Sequence, residues 1–355
     1  VSRPFGVAII GCGVIGPLHA EAYASLPEAR LVGFSDPHLE RAQGLQARFG
    51  GVAEEDYRAL LRRDDVDVVS LCTPSGSHAD LVVEAARAGK HVLCEKPLDI
   101  SLARVDRAIA ACREDGVTLG VVFQHRFDPA SQQVHELVRT GRLGRLFLGN
   151  AVVQWYRTQE YYDAGGWRGT YAMDGGGALI NQSIHTIDLL RWMMGPPRRV
   201  YGRTLTASHA IEAEDVGLAI VEFESGALGT IQGTTSAYPG LSTRLEFFGT
   251  GGTAVIEDDR LERVDLQDEQ AAEEAAGSHS GAWEARDPAG VGTSDPAAVG
   301  WAAHRAQIAD FLDALQTARP PLVGGQEARD ALELVLAVYA SAREGRPMDV
   351  PILPS

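Results

Sequence analysis

The sequence predicts a two-domain protein. An α/β domain with a helix-covered parallel sheet is followed by an α+β domain with a large, mostly antiparallel open sheet. Three observations predict it. Residues 1–123 alternate short apolar runs with helical stretches, the order that builds a parallel sheet. A Gly-x-Gly-x-x-Gly run stands between the first apolar run and the first helical one. From Leu146 onward, runs of period-2 alternation are joined by short turns such as Glu224-Ser225-Gly226 and Gly249-Thr-Gly-Gly252, as in an antiparallel sheet with one open face.

Taken in order, Phe5–Ile10 (FGVAII) reads as a buried strand that enters Gly11-Cys-Gly13-Val14-Ile15-Gly16 and then a helix, LHAEAYASL. In that context the first glycine makes a tight turn, the second admits a pyrophosphate to the backbone, and the third packs helix on strand. A second strand, Leu31–Ser35, ends on Asp36, 20 residues beyond Gly16, where an acid accepts the 2′-hydroxyl of a ribose. The first domain is therefore expected to be a Rossmann domain over residues 1–123. Its ligand is NAD in preference to NADP, because Asp36 repels a 2′-phosphate. A helix Glu40–Phe49, a stretch Asp56–Arg62 and a strand Val66–Cys72 follow, ending in Thr73-Pro74-Ser75-Gly76-Ser77-His78. Helix Ala79–Ala88, strand His91–Cys94, helix Ser101–Glu114 and strand Thr118–Phe123 complete the pattern. Ligands bind at the carboxyl ends of such strands, so Thr73, Pro74, His78, Glu95 and Lys96 join the expected cofactor-contacting set. For His78 a capping role is the alternative. Lys96 is also a catalytic candidate: partial burial beside a nicotinamide lowers an ammonium pKa toward a useful range.

In the second part the expected strands are Leu146–Trp155, Val200–Ser208, Gly217–Phe223, Ala227–Thr235, Ser242–Gly249 and Thr253–Glu257. Helices His304–Thr317 and Gln326–Arg343 are expected near this sheet. The segment 258–300, rich in acid, Ala, Gly and Ser, reads as a loop or weakly ordered lid. The free face of the sheet predicts a subunit contact and so an oligomer.

The stretch Gly175–Gly195, GGGALINQSIHTIDLLRWMMG, reads as one amphipathic helix. Ile180, Ile184, Ile187, Leu190 and Met194 form its buried stripe. Asn181, His185 and Asp188 recur on its flank, where His185 with Asp188 one turn on is a proton-handling candidate. A satisfied core histidine is the bland alternative.

The chain has 355 residues and a formal charge of −16, which argues against nucleic acid and anionic membrane surfaces as partners. No apolar stretch approaches the roughly 20 residues that span a bilayer, and the start enters the first strand at once. The four cysteines, Cys12, Cys72, Cys94 and Cys112, lack metal-ligand spacing. A reduced, cytoplasmic protein without a structural metal is expected.

Four features together resemble the Gfo/Idh/MocA oxidoreductases, the glucose–fructose oxidoreductase and inositol dehydrogenase group, over nearly the whole chain. They are Gly11–Gly16 with Asp36, Cys72-Thr73-Pro74 with His78, Glu95-Lys96-Pro97, and GGGALINQSIHTIDLL with His185. The resemblance implies an NAD(P)-dependent enzyme acting on CH–OH groups of sugars, inositols or nucleotide sugars, with Lys96 and His185 at the acid–base positions and the sheet domain joining a homodimer or homotetramer. Many members carry Asp where this chain has Asn181. An amide cannot take a proton, so Asn181 is expected to hydrogen-bond a substrate hydroxyl while His185, oriented by Asp188, acts with Lys96.

Other substrate contacts are expected from Arg126, at the end of the last Rossmann strand, and from Arg157, Tyr162, Trp167 and Arg168. Aromatic rings there suit a pyranose face and the guanidiniums a carboxylate or phosphate. A polar strand with structural aromatics is the alternative. Two other functions stay open: an enzyme whose bound NAD cycles without net NADH, as in hydrolase- or epimerase-type relatives, and a non-catalytic NAD-dependent sensor.

Overall fold

In the computed structural model, which describes residues 3–268 and 301–351, the chain forms two compact units. The first holds the described residues within 1–127, 171–175 and 297–332, and the second those within 128–170, 176–296 and 333–355.

Six parallel strands make the sheet of the first unit: β1 (Phe5–Ile10), β2 (Ala29–Ser35), β3 (Val52–Glu54), β4 (Val68–Leu71), β5 (His91–Cys94) and β6 (Leu119–Val121). Their order is β3-β2-β1-β4-β5-β6, so the winding reverses between β1 and β4. That reversal opens a crevice at the carboxyl ends of the strands. The strands are apolar because both faces are covered: Val7, Ala8, Ile9, Val68, Val69, Val92 and Leu93 have no exposed surface. Helices α1 (Gly16–Ala24), α2 (Leu39–Phe49), α3 (Arg58–Leu61), α4 (His78–Arg87) and α5 (Leu102–Glu114) belong to this unit.

The late helix α9 (Trp301–Thr317) belongs there too. Its Ile308, Phe311 and Leu312 are packed in one cluster with Val7, Val68, Leu93 and Val122. The sequence places this helix beside the second sheet instead. Its apolar stripe fits any apolar sheet face, so spacing specifies the stripe and not the partner.

The second unit contains α6 (Pro129–Arg139), α7 (Gln159–Asp163) and α8 (Ile184–Met194). Its eight-stranded sheet comprises β7 (Leu146–Gln154), β8 (Pro197–Leu205), β9 (Val216–Phe223), β10 (Leu228–Thr234), β11 (Thr243–Gly249), β12 (Gly252–Glu257), β13 (Arg260–Leu266) and β14 (Met348–Asp349). The order is β13-β12-β11-β7-β10-β9-β8-β14, antiparallel except for the β7–β10 pair. Helix α10 (Gly325–Glu344) runs into this unit from the first.

Strand β13 and the segment Gly175–Met194 also depart from the sequence expectation. Strand β13 occupies the start of the segment read as a loop, since its charged residues Arg260, Glu262, Arg263 and Asp265 hide the alternation. Residues 269–300, the remainder of that segment, lie outside the described residues. The single helix expected over Gly175–Met194 is instead a π-helical turn, Ala178–Gln182, followed by α8. The expected stripe is nonetheless buried: Ile180, Ile184, Ile187 and Leu190 are 0% exposed and Met194 5%. Leu190 and Met194 crowd Gly149 of β7 so closely that a Cβ there would lie 2.7 Å from the Met194 sulfur. The sheet's other face leaves Tyr201, Leu205, Leu218, Ile220 and Leu228 exposed. Among the described residues, no helix is long and apolar enough to cross a membrane.

Candidate active site

The glycine-rich loop is built as its spacing demands. Gly11 has φ +94°, a left-handed conformation, and a Cβ there would lie 2.4 Å from the Cys72 carbonyl oxygen. A Cβ on Gly16 would lie 2.4 Å from the Gly11 oxygen, so the third glycine lets α1 start against the turn. At Gly13 an added Cβ meets nothing within 4 Å, and Val14 beside it is 68% exposed. Ile15 is half-buried against the core cluster around Ile9 and Phe34. Asp36 is 5% exposed and holds the loop itself: Oδ2 accepts the Cys12 N–H at 2.9 Å and Oδ1 the His38 N–H at 2.8 Å. An open second glycine, a helix N-terminus and a fixed acid at the end of β2 fit the pyrophosphate and ribose of a dinucleotide.

At the end of β5, Glu95 turns inward. Its Oε1 lies 3.0 Å from His19 Nε2 and 3.9 Å from His304 Nε2, and its Oε2 accepts the Lys96 N–H at 3.1 Å. His19 Nδ1 lies 2.8 Å from Ser70 Oγ. Burial raises the Glu95 carboxyl, but the hydrogen bond and charge of His19, with His304 and Lys96, hold it down at about 2. Burial lowers His19, while Cys72 and Glu95 push it up to about 10. Both Glu95 oxygens thus serve the protein, and its part is to hold the Lys96 backbone. The Lys96 side chain is half-buried.

His78 is 1% exposed, with Nδ1 2.7 Å from the Pro97 oxygen and Nε2 2.8 Å from the Thr73 oxygen. Burial pulls its pKa down against those two carbonyls. With both ring nitrogens so placed, His78 ties the Thr73-Pro74 loop to the Lys96-Pro97 loop rather than capping a helix end. Thr73 and Pro74 are half-buried, and Thr73 Oγ1 accepts the Ser77 hydroxyl at 3.0 Å. Arg126, in a 3₁₀ turn over Gln124–Phe127, is only 3% exposed.

In the second unit, Asn181 and His185 stand out. Between Gly176 and Leu190 they alone are not buried. The π turn that carries Asn181 closes with the Ser183 N–H on the Ala178 oxygen at 2.9 Å, and π turns of this kind recur at functional positions. Asp188, expected to orient His185, is 1% exposed.

Nearby in the same unit, two guanidiniums meet one ring. Arg168 lies 4.5 Å and Arg157 5.4 Å from the Tyr161 ring centre, and Arg157 also stands 5.0 Å from the Trp155 ring. Arg168 lies 5.4 Å from the half-buried Trp167 ring. The Tyr161 hydroxyl accepts from Gln182 Nε2 at 3.1 Å, linking this cluster to the π turn. Tyr162, expected as a substrate contact, is 4% exposed, and its hydroxyl is 2.7 Å from Thr235 Oγ1. In a short helix, adjacent residues point about 100° apart, so one Tyr of the pair goes inward while Tyr161 faces the arginines. Sequence reasoning also missed His19 and Glu214, whose partners are distant in the chain, and Asp215, which folds a nearby loop around its carboxylate.

Comparison with known proteins accords with this geometry. Residues 5–123 match the model described as the oxidoreductase family, NAD-binding Rossmann fold, and residues 131–255 the Gfo/Idh/MocA C-terminal domain. Myo-inositol 2-dehydrogenase of Thermotoga maritima is 30% identical over 346 residues, covering 96% of this chain and 97% of the relative. The scyllo-inositol 2-dehydrogenase (NAD(+)) of Bacillus subtilis is 28% identical, covering 97% and 96%. Among solved structures, the WlbA dehydrogenase from Bordetella pertussis, crystallised with NADH and UDP-GlcNAcA, superposes with a TM-score of 0.85 at 32% identity, covering 99% of this chain and all of that one. The chain therefore belongs to the Gfo/Idh/MocA family, as an NAD-binding oxidoreductase of CH–OH groups.

Proposed function

We propose that this enzyme is an NAD-dependent dehydrogenase of a sugar, sugar acid, nucleotide sugar or cyclitol, with Lys96 and His185 as its acid–base residues. The observation that carries the reading is the exposure pattern of residues 176–190, where Asn181 and His185 alone escape burial while the polar neighbours Gln182, Ser183, Thr186 and Asp188 are buried.

NAD, when bound, supplies the hydride-accepting carbon. Asp36 accepts the ribose hydroxyl, the Gly11–Gly16 backbone with Val14 and Ile15 holds the pyrophosphate, and Thr73 and Pro74 line the strand ends beside it. His78 and Glu95 act one step back, fixing the Thr73 and Lys96 backbones. Of Lys96 and His185, one takes the carbinol proton and the other, while cationic, steadies the developing alkoxide. Asn181, with both a donor and an acceptor, orients a neighbouring hydroxyl. Arg126, Arg157, Trp167 and Arg168 position the substrate, with Tyr161 taking the part expected of Tyr162. Two guanidiniums on one ring favour a substrate bearing a carboxylate or phosphate over a neutral cyclitol. The exposed apolar row of Tyr201, Leu205, Leu218, Ile220 and Leu228 supports a homodimer or homotetramer.

The test is NADH formation at 340 nm with inositols, free aldoses, uronic acids and UDP-sugars, in the unmodified protein and in Lys96→Ala and His185→Ala. Turnover on one class, lost in both variants, is the expected result. A protein that binds NAD and yields no NADH with any of them overturns it in favour of a cofactor that cycles in place or a non-catalytic NAD-dependent sensor.

A further inference from the structure

Two neighbouring buried carboxylates, Glu214 and Asp215, precede β9 and take no part in the chemistry above. Both are almost fully shielded, at 3% and 0% exposure, and they point to different places. Burying a carboxylate costs several kcal/mol unless its oxygens find donors. Here the donors are mostly backbone amides, of the π turn for Glu214 and of the loop 207–209 for Asp215.

Glu214 serves the π turn. Its Oε2 accepts the Gly177 N–H at 2.9 Å, and its Oε1 accepts the Leu179 N–H at 2.9 Å and the Tyr339 hydroxyl at 2.8 Å. Its backbone oxygen accepts the Ala178 N–H at 3.0 Å. The Tyr339 oxygen accepts the Ile180 N–H at 3.3 Å. The first amides of a helical turn lack partners within it, and here Glu214 and Tyr339 supply them from far along the chain. The contact is close enough to require glycine: a Cβ on Gly177 would lie 1.8 Å from the Glu214 oxygen.

Asp215 serves the arginine cluster. Its Oδ1 accepts the Ala207 N–H at 2.6 Å, and its Oδ2 the N–H groups of Ser208 at 2.8 Å and His209 at 3.0 Å. His209 Nδ1 lies 2.9 Å from Asp215 Oδ2, and its Nε2 lies 2.8 Å from the Arg157 oxygen. The Thr235 N–H donates to the Asp215 backbone oxygen at 3.0 Å, and the Arg157 N–H to the Thr235 oxygen at 2.8 Å. Arg157 is thus held by two routes from one residue.

We propose that the Glu214-Asp215 dipeptide is a positioning device that sets the chemical and the anchoring halves of the substrate site separately. Glu214 fixes the turn bearing Asn181 and leading to His185, and Asp215 fixes the segment after β7 that bears Arg157. The inference rests on the reading of Asn181, His185 and Arg157 given above. Because the two halves do different work, the two neighbours have different kinetic signatures, which a merely structural role does not produce.

The experiment measures steady-state kinetics by NADH formation with UDP-N-acetylglucuronic acid and with myo-inositol, and NAD affinity by fluorescence titration. It compares the full-length protein with Glu214→Gln, Tyr339→Phe, Asp215→Asn and His185→Ala. Glu214→Gln is expected to lower kcat by about ten- to a hundredfold with KM within about twofold. Tyr339→Phe, which keeps the ring and loses one hydroxyl, moves kcat the same way to a smaller extent. Asp215→Asn is expected to raise KM about tenfold and leave kcat within about threefold. NAD affinity stays unchanged in all of them. Equal losses of kcat and KM in Glu214→Gln and Asp215→Asn, or a normal kcat in both Glu214→Gln and Tyr339→Phe, overturn the proposal while leaving His185 in place. A normal kcat in His185→Ala, or no NADH from the unmodified protein with either probe, overturns the underlying reading instead.

Discussion

Asp36 accepts the Cys12 N–H at 2.9 Å, so the acid that ends β2 is clamped by the glycine-rich loop it works with. Arg41 Nη1 stands 3.8 Å from Asp36 Oδ1, on a side chain otherwise half in solvent. Asp36→Ala is therefore expected to weaken NAD about ten- to a hundredfold, the loss of hydrogen bonds to a charged group. With the carboxylate gone, Arg41 becomes available to a 2′-phosphate, so the gap between NAD and NADP narrows. Dissociation constants for both cofactors check this, and an unchanged preference would falsify the assignment of Asp36.

The loop glycines separate folding from binding. Gly13→Ala has open space for its methyl group and is expected to leave the melting temperature within a degree or two while weakening NAD. Gly11→Ala meets both a left-handed φ and the Cys72 carbonyl, and is expected to destabilise the protein by about 1–3 kcal/mol. Thermal melts alongside NAD titrations distinguish them; similar behaviour of the two variants counts against the roles given.

Stability is expected to follow pH through the His19–Glu95 pair. Glu95 is held at about 2, below its usual 4.5, so its contribution is present above pH 4.5 and fades as pH falls toward 2. Despite burial, His19 is raised from 6.5 to about 10 by Cys72 and then Glu95, so its contribution is whole below pH 6.5 and fades as pH rises through 10. The pair therefore contributes fully between about 4.5 and 6.5. Removing one partner of a buried pair costs about 3–5 kcal/mol, so Glu95→Gln should lower stability most at pH 5–6. Chemical denaturation across pH tests it; a variant curve parallel to the wild-type curve contradicts the pairing.

Phe311 is 1% exposed in the cluster with Val7, Val68 and Leu93. Phe311→Ala is expected to cost about 3–5 kcal/mol. Urea titration reads it, and a loss under about 1 kcal/mol shows that α9 contributes little to that core.

What was legible in the sequence was local. The fingerprint with Asp36, the strand alternation and the stripe Ile180–Met194 each depend on residues a few places apart, and each has its expected surroundings. Partnership over distance was not legible. Nothing near Glu214 signals that it will cap a turn almost 40 positions earlier, or that Tyr339 will join it. The π turn escaped for the same reason, because it is held by those remote groups. Between Tyr161 and Tyr162 the choice lay in which way a short helix faced.

The seating of α9 bears on how the protein is made. Strands β1 to β6 are all synthesised by residue 121, yet Ile308, Phe311 and Leu312, which close over Val7, Val68, Leu93 and Val122, arrive only after β7 to β13 of the second sheet have been translated. Gln307 reaches the Val121 carbonyl at 2.7 Å on the same late helix. A nascent nucleotide-binding half thus waits on the ribosome with an apolar face uncovered, and a fragment cut at residue 123 keeps that face bare for good.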